Sequence, residues 1–170
     1  INMLTIVGVC CGRLEQMSRP FDVVLYGCTG FTGRLVAAYF ANHVTKRLPA
    51  LRWALAGRNA TKMQELSAEL GDVPEIVASS DVQSDIDKVA AASKVIISTA
   101  GPFARLGTPV VDACVRAGCD YVDINGETGW HRGMIDAYDT AAQKAGVVLV
   151  PSSGFDSIPS DLGASWMASR

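Results

Sequence analysis

A chain of 170 residues is long enough for one domain with a full hydrophobic core and too short for the two domains that most nicotinamide enzymes use. With 49% apolar and 19% charged residues it can bury enough surface to offset chain entropy, which excludes intrinsic disorder. A formal net charge of -2, with no stripe of Lys and Arg, excludes nucleic acid as the expected partner.

The apolar run at residues 3–11 has no basic residues before it and no small-residue cleavage pattern after it, so it is a poor secretory signal. It is also far shorter than the roughly 20 apolar residues of a membrane-spanning helix, so no integral membrane segment is expected. Met17, followed by Ser18-Arg19-Pro20 and then a strong strand pattern, marks residues 1–20 as an N-terminal extension and residues 21–170 as the folded domain. Short apolar runs follow at residues 22–26, 53–56, 76–78, 95–98, 121–124 and 147–150, each separated by a helix-length segment. Six strands and five helices are predicted.

Apolar residues share helix faces at Leu35, Val36, Tyr39 and Phe40, at Met63, Leu66 and Leu70, and at Met134, Ile135, Tyr138 and Ala142. Gly71, Gly118 and Gly146 each follow the last apolar helical residue, where a left-handed backbone ends a helix. Ser84 with Asp87 reads as a capping box, and Thr108 before Pro109 reads as a cap followed by proline at the first helical position. Strands alternating with covering helices, several strands being apolar on both faces, predict an α/β fold: a doubly wound parallel sheet of Rossmann type. In such sheets the ligand lies beyond the carboxyl ends of the strands, where strand order reverses, so function should sit in the loops after each strand.

The loop after the first strand reads Gly27-Cys28-Thr29-Gly30-Phe31-Thr32-Gly33, a GxxGxxG arrangement between a strand and a helix. One glycine permits the tight turn, a second lets the backbone approach a ligand, and a third lets helix and strand pack closely. Amides at the helix start, backed by the helix dipole, can then hold a pyrophosphate, with hydroxyls of Thr29 or Thr32 adding a hydrogen bond. A nucleotide P-loop is excluded, because Arg34-Leu35 stands where Lys and then Ser or Thr are required.

The second strand ends Ala56-Gly57-Arg58-Asn59, where an NAD-selective domain presents Asp or Glu to the adenosine ribose, and no carboxylate appears until Glu65. Arg58 offers a planar cation for a 2′-phosphate, which favours NADP(H) over NAD(H). Small residues in Ala100-Gly101-Pro102-Phe103 after the fourth strand suit the ribose and nicotinamide half. The same residues would also make an ordinary turn.

Polar loops follow the fifth strand, with Glu127, and the sixth, with Asp156. Either carboxylate could orient or supply a proton, and either could be a solvated cap, so no catalytic residue is singled out. The five cysteines show no CxxC spacing, and His43 and His131 stand apart, so neither a disulfide framework nor a metal site is expected. Reduced thiols point to the cytoplasm or to an organelle of similar redox poise. Cys28 and Cys114 read as loop and core residues, not as nucleophiles.

The block from Phe21 to Gly33 resembles the opening of saccharopine dehydrogenase-like oxidoreductases. Ala56-Gly57-Arg58-Asn59, Ala100-Gly101-Pro102-Phe103, Tyr121-Val122-Asp123 with Gly126-Glu127, and Gly154-Phe155-Asp156-Ser157-Ile158-Pro159-Ser160-Asp161 resemble the same family in order. The similarity covers nearly everything after residue 20 and is nearest the subgroup that includes trans-acting enoyl reductases of lipid synthesis. Cys28 replaces the alanine more usual in that loop. The resemblance implies the cofactor domain of an NADP-dependent oxidoreductase transferring hydride to or from a carbonyl, imine or enoyl group of a small-molecule substrate, whose identity it does not supply. It leaves room for a homodimer and for a peripheral association with lipid.

Members of the family carry a second domain after the Gly-Phe-Asp block, so residues 21–170 are expected to be truncated at their C-terminal end and to show little catalysis alone. A non-catalytic dinucleotide sensor is the other class considered. Short-chain dehydrogenases share the glycine spacing but need Tyr-x-x-x-Lys, and Tyr26, Tyr39, Tyr121 and Tyr138 are followed at that spacing by Gly30, His43, Asn125 and Ala142.

Overall fold

The computed structural model describes residues 19–170. The expectations placed on Met17 and the apolar run before it lie outside the described residues. Beyond them, β1 (Phe21–Tyr26) leads into α1 (Phe31–Tyr39), which runs on through a π-helical turn at Phe40–Val44 and a last turn at Thr45–Arg47. Next come β2 (Trp53–Gly57), α2 (Ala60–Glu69), β3 (Glu75–Val77), α3 (Gln83–Ala92) and β4 (Ser93–Ser98). The chain continues through α4 (Phe103–Leu106), α5 (Thr108–Ala117), β5 (Asp120–Asp123), α6 (Thr128–Ala145), β6 (Leu149–Val150) and α7 (Ile158–Ala168). The strands form one sheet in the order β3-β2-β1-β4-β5-β6. Every pairing is parallel. This is the doubly wound Rossmann architecture read from the sequence.

Successive residues of a strand point to opposite faces, and here both faces are apolar, so each builds its own core. Val24, Tyr26, Ala54, Ala56, Ile96 and Tyr121 pack with α3 and α5, through Ile86, Val89, Val110 and Cys114. Val23, Leu25, Trp53, Leu55 and Ile97 pack with α1 and α2, through Ala37, Phe40, Met63 and Leu66. A fully buried aliphatic side chain contributes about 1.5–3 kcal/mol of transfer energy, so the central strands β1, β2 and β4 carry most of the stability.

Helix ends follow the glycines. Gly118 and Gly146 sit at φ 68° and 67° as left-handed caps of α5 and α6, and Gly71, just past α2, sits at φ 91°. Helix starts depart from the sequence reading. The residue before α3 is Val82, with no side-chain cap, so Ser84 and Asp87 lie inside the helix; Asp87 pairs instead with Arg116 at 2.6 Å. The partner available across the groove outcompetes the local box. Thr108 is the first residue of α5, not its cap, and its hydroxyl accepts a hydrogen bond from Trp130 Nε1 at 3.0 Å.

The α1 face also differs from expectation. Leu35 and Tyr39 are 60% and 45% exposed, while Gly33, Ala37, Phe40 and Val44 are buried. Close approach of α1 to β1 selects the small residues Gly33 and Ala37 for the inner face and turns the larger pair outward. Ile135 of α6 is likewise exposed. Just before β1, the Arg19 guanidinium donates to the carbonyls of Ala90, Ser93 and Ala117, closing the ends of α3 and α5.

Candidate functional site

Strand order reverses between β1 and β4, whose last residues Tyr26 and Ser98 are neighbours in register. The loops that leave them are tied together. Thr99 N donates to the Tyr26 carbonyl at 2.9 Å, and Thr99 Oγ1 donates to the carbonyls of Tyr26 and Gly27, both at 3.1 Å. Gly27 has φ +84°, and a Cβ there would lie 2.8 Å from Ala100 N. The glycine loop and the loop carrying Ala100 therefore meet backbone to backbone at the point where a doubly wound sheet takes its ligand.

The three glycines of the loop have different physical reasons. A Cβ at Gly33 would lie 2.2 Å from the Gly27 carbonyl oxygen, so internal packing alone demands glycine there. Gly30 is exposed at an ordinary φ of -73°, and a Cβ would meet nothing nearer than 3.4 Å. The fold has room for a Cβ at that position, where glycine is the N-cap of α1, and a longer side chain would stand in front of the first turn of the helix. Gly30 N itself is spent on the Gly27 carbonyl at 3.1 Å. No side chain caps α1, and its first turn holds no acidic residue, so the positive end of its dipole meets no carboxylate from its own helix. Thr29 and Thr32 are half-buried beside it, and Phe31 is 85% exposed.

Arg58 is exposed directly after β2, and Asn59 caps α2 by accepting from Lys62 N at 2.9 Å. Neither the second strand's end nor the first turn of α2 presents a carboxylate. The loop after β3 joins this region, which sequence reasoning passed over. Burial pushes the Tyr26 hydroxyl up and the Asp81 charge adds to this, while Ser80 and the positive charge of Arg58 pull the other way. The loop after β3 thus brings both a hydroxyl and a carboxylate toward Tyr26 and Arg58. The polar Ser79-Ser80-Asp81 run closing an apolar strand was the available signal.

On the other side of β1, Ala100 is half-buried and Gly101 and Pro102 are exposed, whereas Phe103 is buried with its ring against Trp130, 5.8 Å between centroids. Of the four residues singled out in this loop, Phe103 serves packing through its ring. Glu127 proves to be a cap, but of another element: its Oε1 accepts from Phe103 N at 2.6 Å and its Oε2 from Ala104 N at 2.8 Å. Asp156 and Phe155 are exposed. Ser152 Oγ lies 3.3 Å from His131 Nδ1, joining the loop after β6 to the first turn of α6.

Asp123, wholly buried at the end of β5, accepts from Tyr121 Oη, from the backbone and side-chain nitrogens of Asn125, and from Ser152 N, all within 2.9 Å. A carboxylate so surrounded by donors is stable in the interior without a cation. Burial first, and the Asp123 charge second, push the Tyr121 hydroxyl well above the usual range. Cys28 is buried behind the glycine loop, and burial pushes its thiol up to about 11, which keeps it protonated and inert. Among the described residues no group of three or more His, Cys, Asp or Glu is placed to hold a metal ion.

Residues 23–150 match the saccharopine dehydrogenase NADP binding domain. The chain belongs to this family. Among curated relatives it is 39% identical over 153 residues to a trans-acting enoyl reductase of Mycobacterium ulcerans, covering 88% of this chain and 36% of the relative. It is 40% identical over 148 residues to one of Mycobacterium leprae, covering 85% and 34%. The chain thus spans about a third of the length of these relatives. Apo saccharopine dehydrogenase (L-Glu forming) from Saccharomyces cerevisiae shares the fold, with a TM-score of 0.66 at 23% identity over 81% of this chain and 28% of that one. A triphenylmethane reductase of Citrobacter sp. complexed with NADP(H) does so with a TM-score of 0.58 at 20% identity, covering 76% and 48%. As a saccharopine dehydrogenase NADP binding domain, the chain places its glycine loop and Arg58 at the carboxyl edge of the sheet, after the neighbouring strands β1 and β2. Among the described residues, no helix is long and apolar enough to cross a membrane.

Proposed function

We propose that the first turn of α1 cradles the pyrophosphate of NADP(H), that Arg58 pairs with its 2′-phosphate, and that Ala100, Gly101 and Pro102 border its nicotinamide half. The observation that carries this is Gly30, an N-cap glycine at which the fold would have room for a Cβ, set before helix amides that no side chain caps. Gly27 and Gly33 shape the loop, and Thr29, Phe31 and Thr32 lie along its ligand side.

When bound, NADPH supplies a hydride. The protein's own residues bind and orient: α1 offers backbone donors to a diphosphate, Arg58 offers a guanidinium directly after β2, where neither the strand end nor the first turn of α2 presents a carboxylate, and Thr99 holds the two loops in contact. The whole protein is an oxidoreductase acting on a carbonyl, imine or enoyl substrate. The names of the mycobacterial relatives favour the enoyl group. Buried thiols at Cys28, Cys114 and Cys119 suit a reducing compartment such as the cytoplasm.

The test is a fluorescence titration of NADPH and NADH against the wild type and Arg58→Ala. The wild type should prefer NADPH, and the variant should lose about tenfold or more of that preference, the worth of one charge-assisted contact. A wild type that prefers NADH would overturn the assignment. Turnover of NADPH by the full-length protein separates an enzyme from a sensor.

A further inference from the structure

We propose that Glu127 is the positioning residue for the nicotinamide half of the site, holding the loop at residues 99–104 in its binding shape; this rests on the cofactor reading above. Glu127 stands on the loop after β5, immediately before α6, yet its carboxylate serves a different helix. Both oxygens are used, one on Phe103 N at 2.6 Å and one on Ala104 N at 2.8 Å. These are the first amides of α4, which has no side-chain cap of its own and, as a single turn, cannot sustain itself.

Glu127 is itself fixed from the core outward. Its amide donates to Asn125 Oδ1 at 3.0 Å. Asn125, 1% exposed, donates through N and Nδ2 to the buried Asp123 at 2.9 and 2.7 Å. Trp130, on the first turn of α6, grips the same connection from beside it. Its ring lies on Phe103, its Nε1 donates to Thr108, and it comes so near Gly107 that a Cβ there would lie 2.6 Å from the ring.

Ala100, Gly101 and Pro102 are consequently suspended between two anchors. Thr99 fixes one end to β1 and the glycine loop, and Glu127 fixes the other end to β5. The adenosine side, at Arg58 beyond β2, lies on the opposite flank of β1. Loss of Glu127 should therefore loosen one half of the cofactor site and spare the other. Occupation of the α4 amides by this carboxylate also explains why α1, and not α4, is left to meet a phosphate.

The experiment compares two probes, NADPH and adenosine 2′,5′-bisphosphate, which carries the adenosine half without nicotinamide, on wild type, Glu127→Ala and Glu127→Gln. Glu127→Ala should weaken NADPH about tenfold and abolish the fluorescence enhancement of its nicotinamide, with the bisphosphate affinity unchanged within about twofold. Glu127→Gln keeps one acceptor but turns an NH2 toward the other amide, and should weaken NADPH at least about threefold with the same selectivity. It carries the test if the alanine variant does not fold. Parallel weakening of both probes, or unaltered NADPH binding, overturns the assignment of Glu127. A wild type that binds neither probe overturns the cofactor reading itself.

Discussion

A Cβ on residue 33 would stand 2.2 Å from the carbonyl oxygen of Gly27, and the atoms next nearest to it are the backbone of Cys28. None of these can yield without moving the turn. Gly33→Ala should therefore lower stability by about 2–3 kcal/mol, in the upper range for overpacking, and abolish NADPH binding. Gly30→Ala has room within the fold and a permitted φ, so its stability in the absence of ligand should fall by no more than about 1 kcal/mol, the cost of alanine at an N-cap, while its NADPH affinity falls at least about tenfold. Thermal denaturation with and without NADPH separates the two variants. A Gly30→Ala protein that binds normally would remove the basis for placing the pyrophosphate there.

Asp22, at the opposite end of β1, tests the electrostatics away from the site. Partial burial raises its carboxyl, but hydrogen bonds from Arg52 and Lys94 prevail and bring it from 3.8 down to about 2. Lys94 Nζ lies 2.8 Å away and Arg52 N 2.9 Å. Because the folded value lies below the unfolded one, the contribution is complete above about pH 4 and is lost as pH falls toward about 2. Allowing for solvent screening it amounts to about 1 kcal/mol. Urea denaturation from pH 5 to pH 2 should show Asp22→Asn losing less stability than wild type over that interval.

The buried thiols make a chemical prediction. Cys28, Cys114 and Cys119 are each fully buried, and burial pushes Cys28 up to about 11 and Cys114 well above its ordinary value. Iodoacetamide at neutral pH should leave these three unlabelled in the native protein and label them in denaturant, as read by peptide mass spectrometry. Rapid native labelling of Cys28 would contradict the packing of the glycine loop against β2.

Asp123 ties the loops after β5 and β6 to Tyr121 of β5 through one side chain. Asp123→Asn would turn an NH2 toward N–H or O–H donors in a site without water access, costing about 2–4 kcal/mol. The urea midpoint should fall with the slope of the transition unchanged. A midpoint near wild type would mean that the network around Asp123 is not held together by its carboxylate.

The strands and their order of appearance were legible because burial on both faces leaves unbroken apolar runs, as in Val23-Val24-Leu25 and Val95-Ile96-Ile97. Gly118 and Gly146 were legible because a left-handed backbone restricts the residue type. Ser84 and Thr108 were misplaced because their alternatives are tertiary. Asp87 finds Arg116, and Thr108 finds Trp130, from elements far away in sequence. The inner face of α1 was half misread because close approach to β1 favours small residues over large ones, a preference that hydrophobicity does not record. Glu127 could be seen as polar and loop-borne, but its partners are backbone amides, which have no signature in a sequence. The role of residues 79–81 beside β1 was hidden for a similar reason, since a crossover brings them there.

Arg19 carries a last consequence. Its guanidinium supplies donors to three carbonyls, those of Ala90, Ser93 and Ala117, which lie where two helices of the same sheet face run out. A truncated version starting at Phe21 would retain every strand and still leave that corner to water, so recombinant work on this domain should keep the arginine and the proline after it.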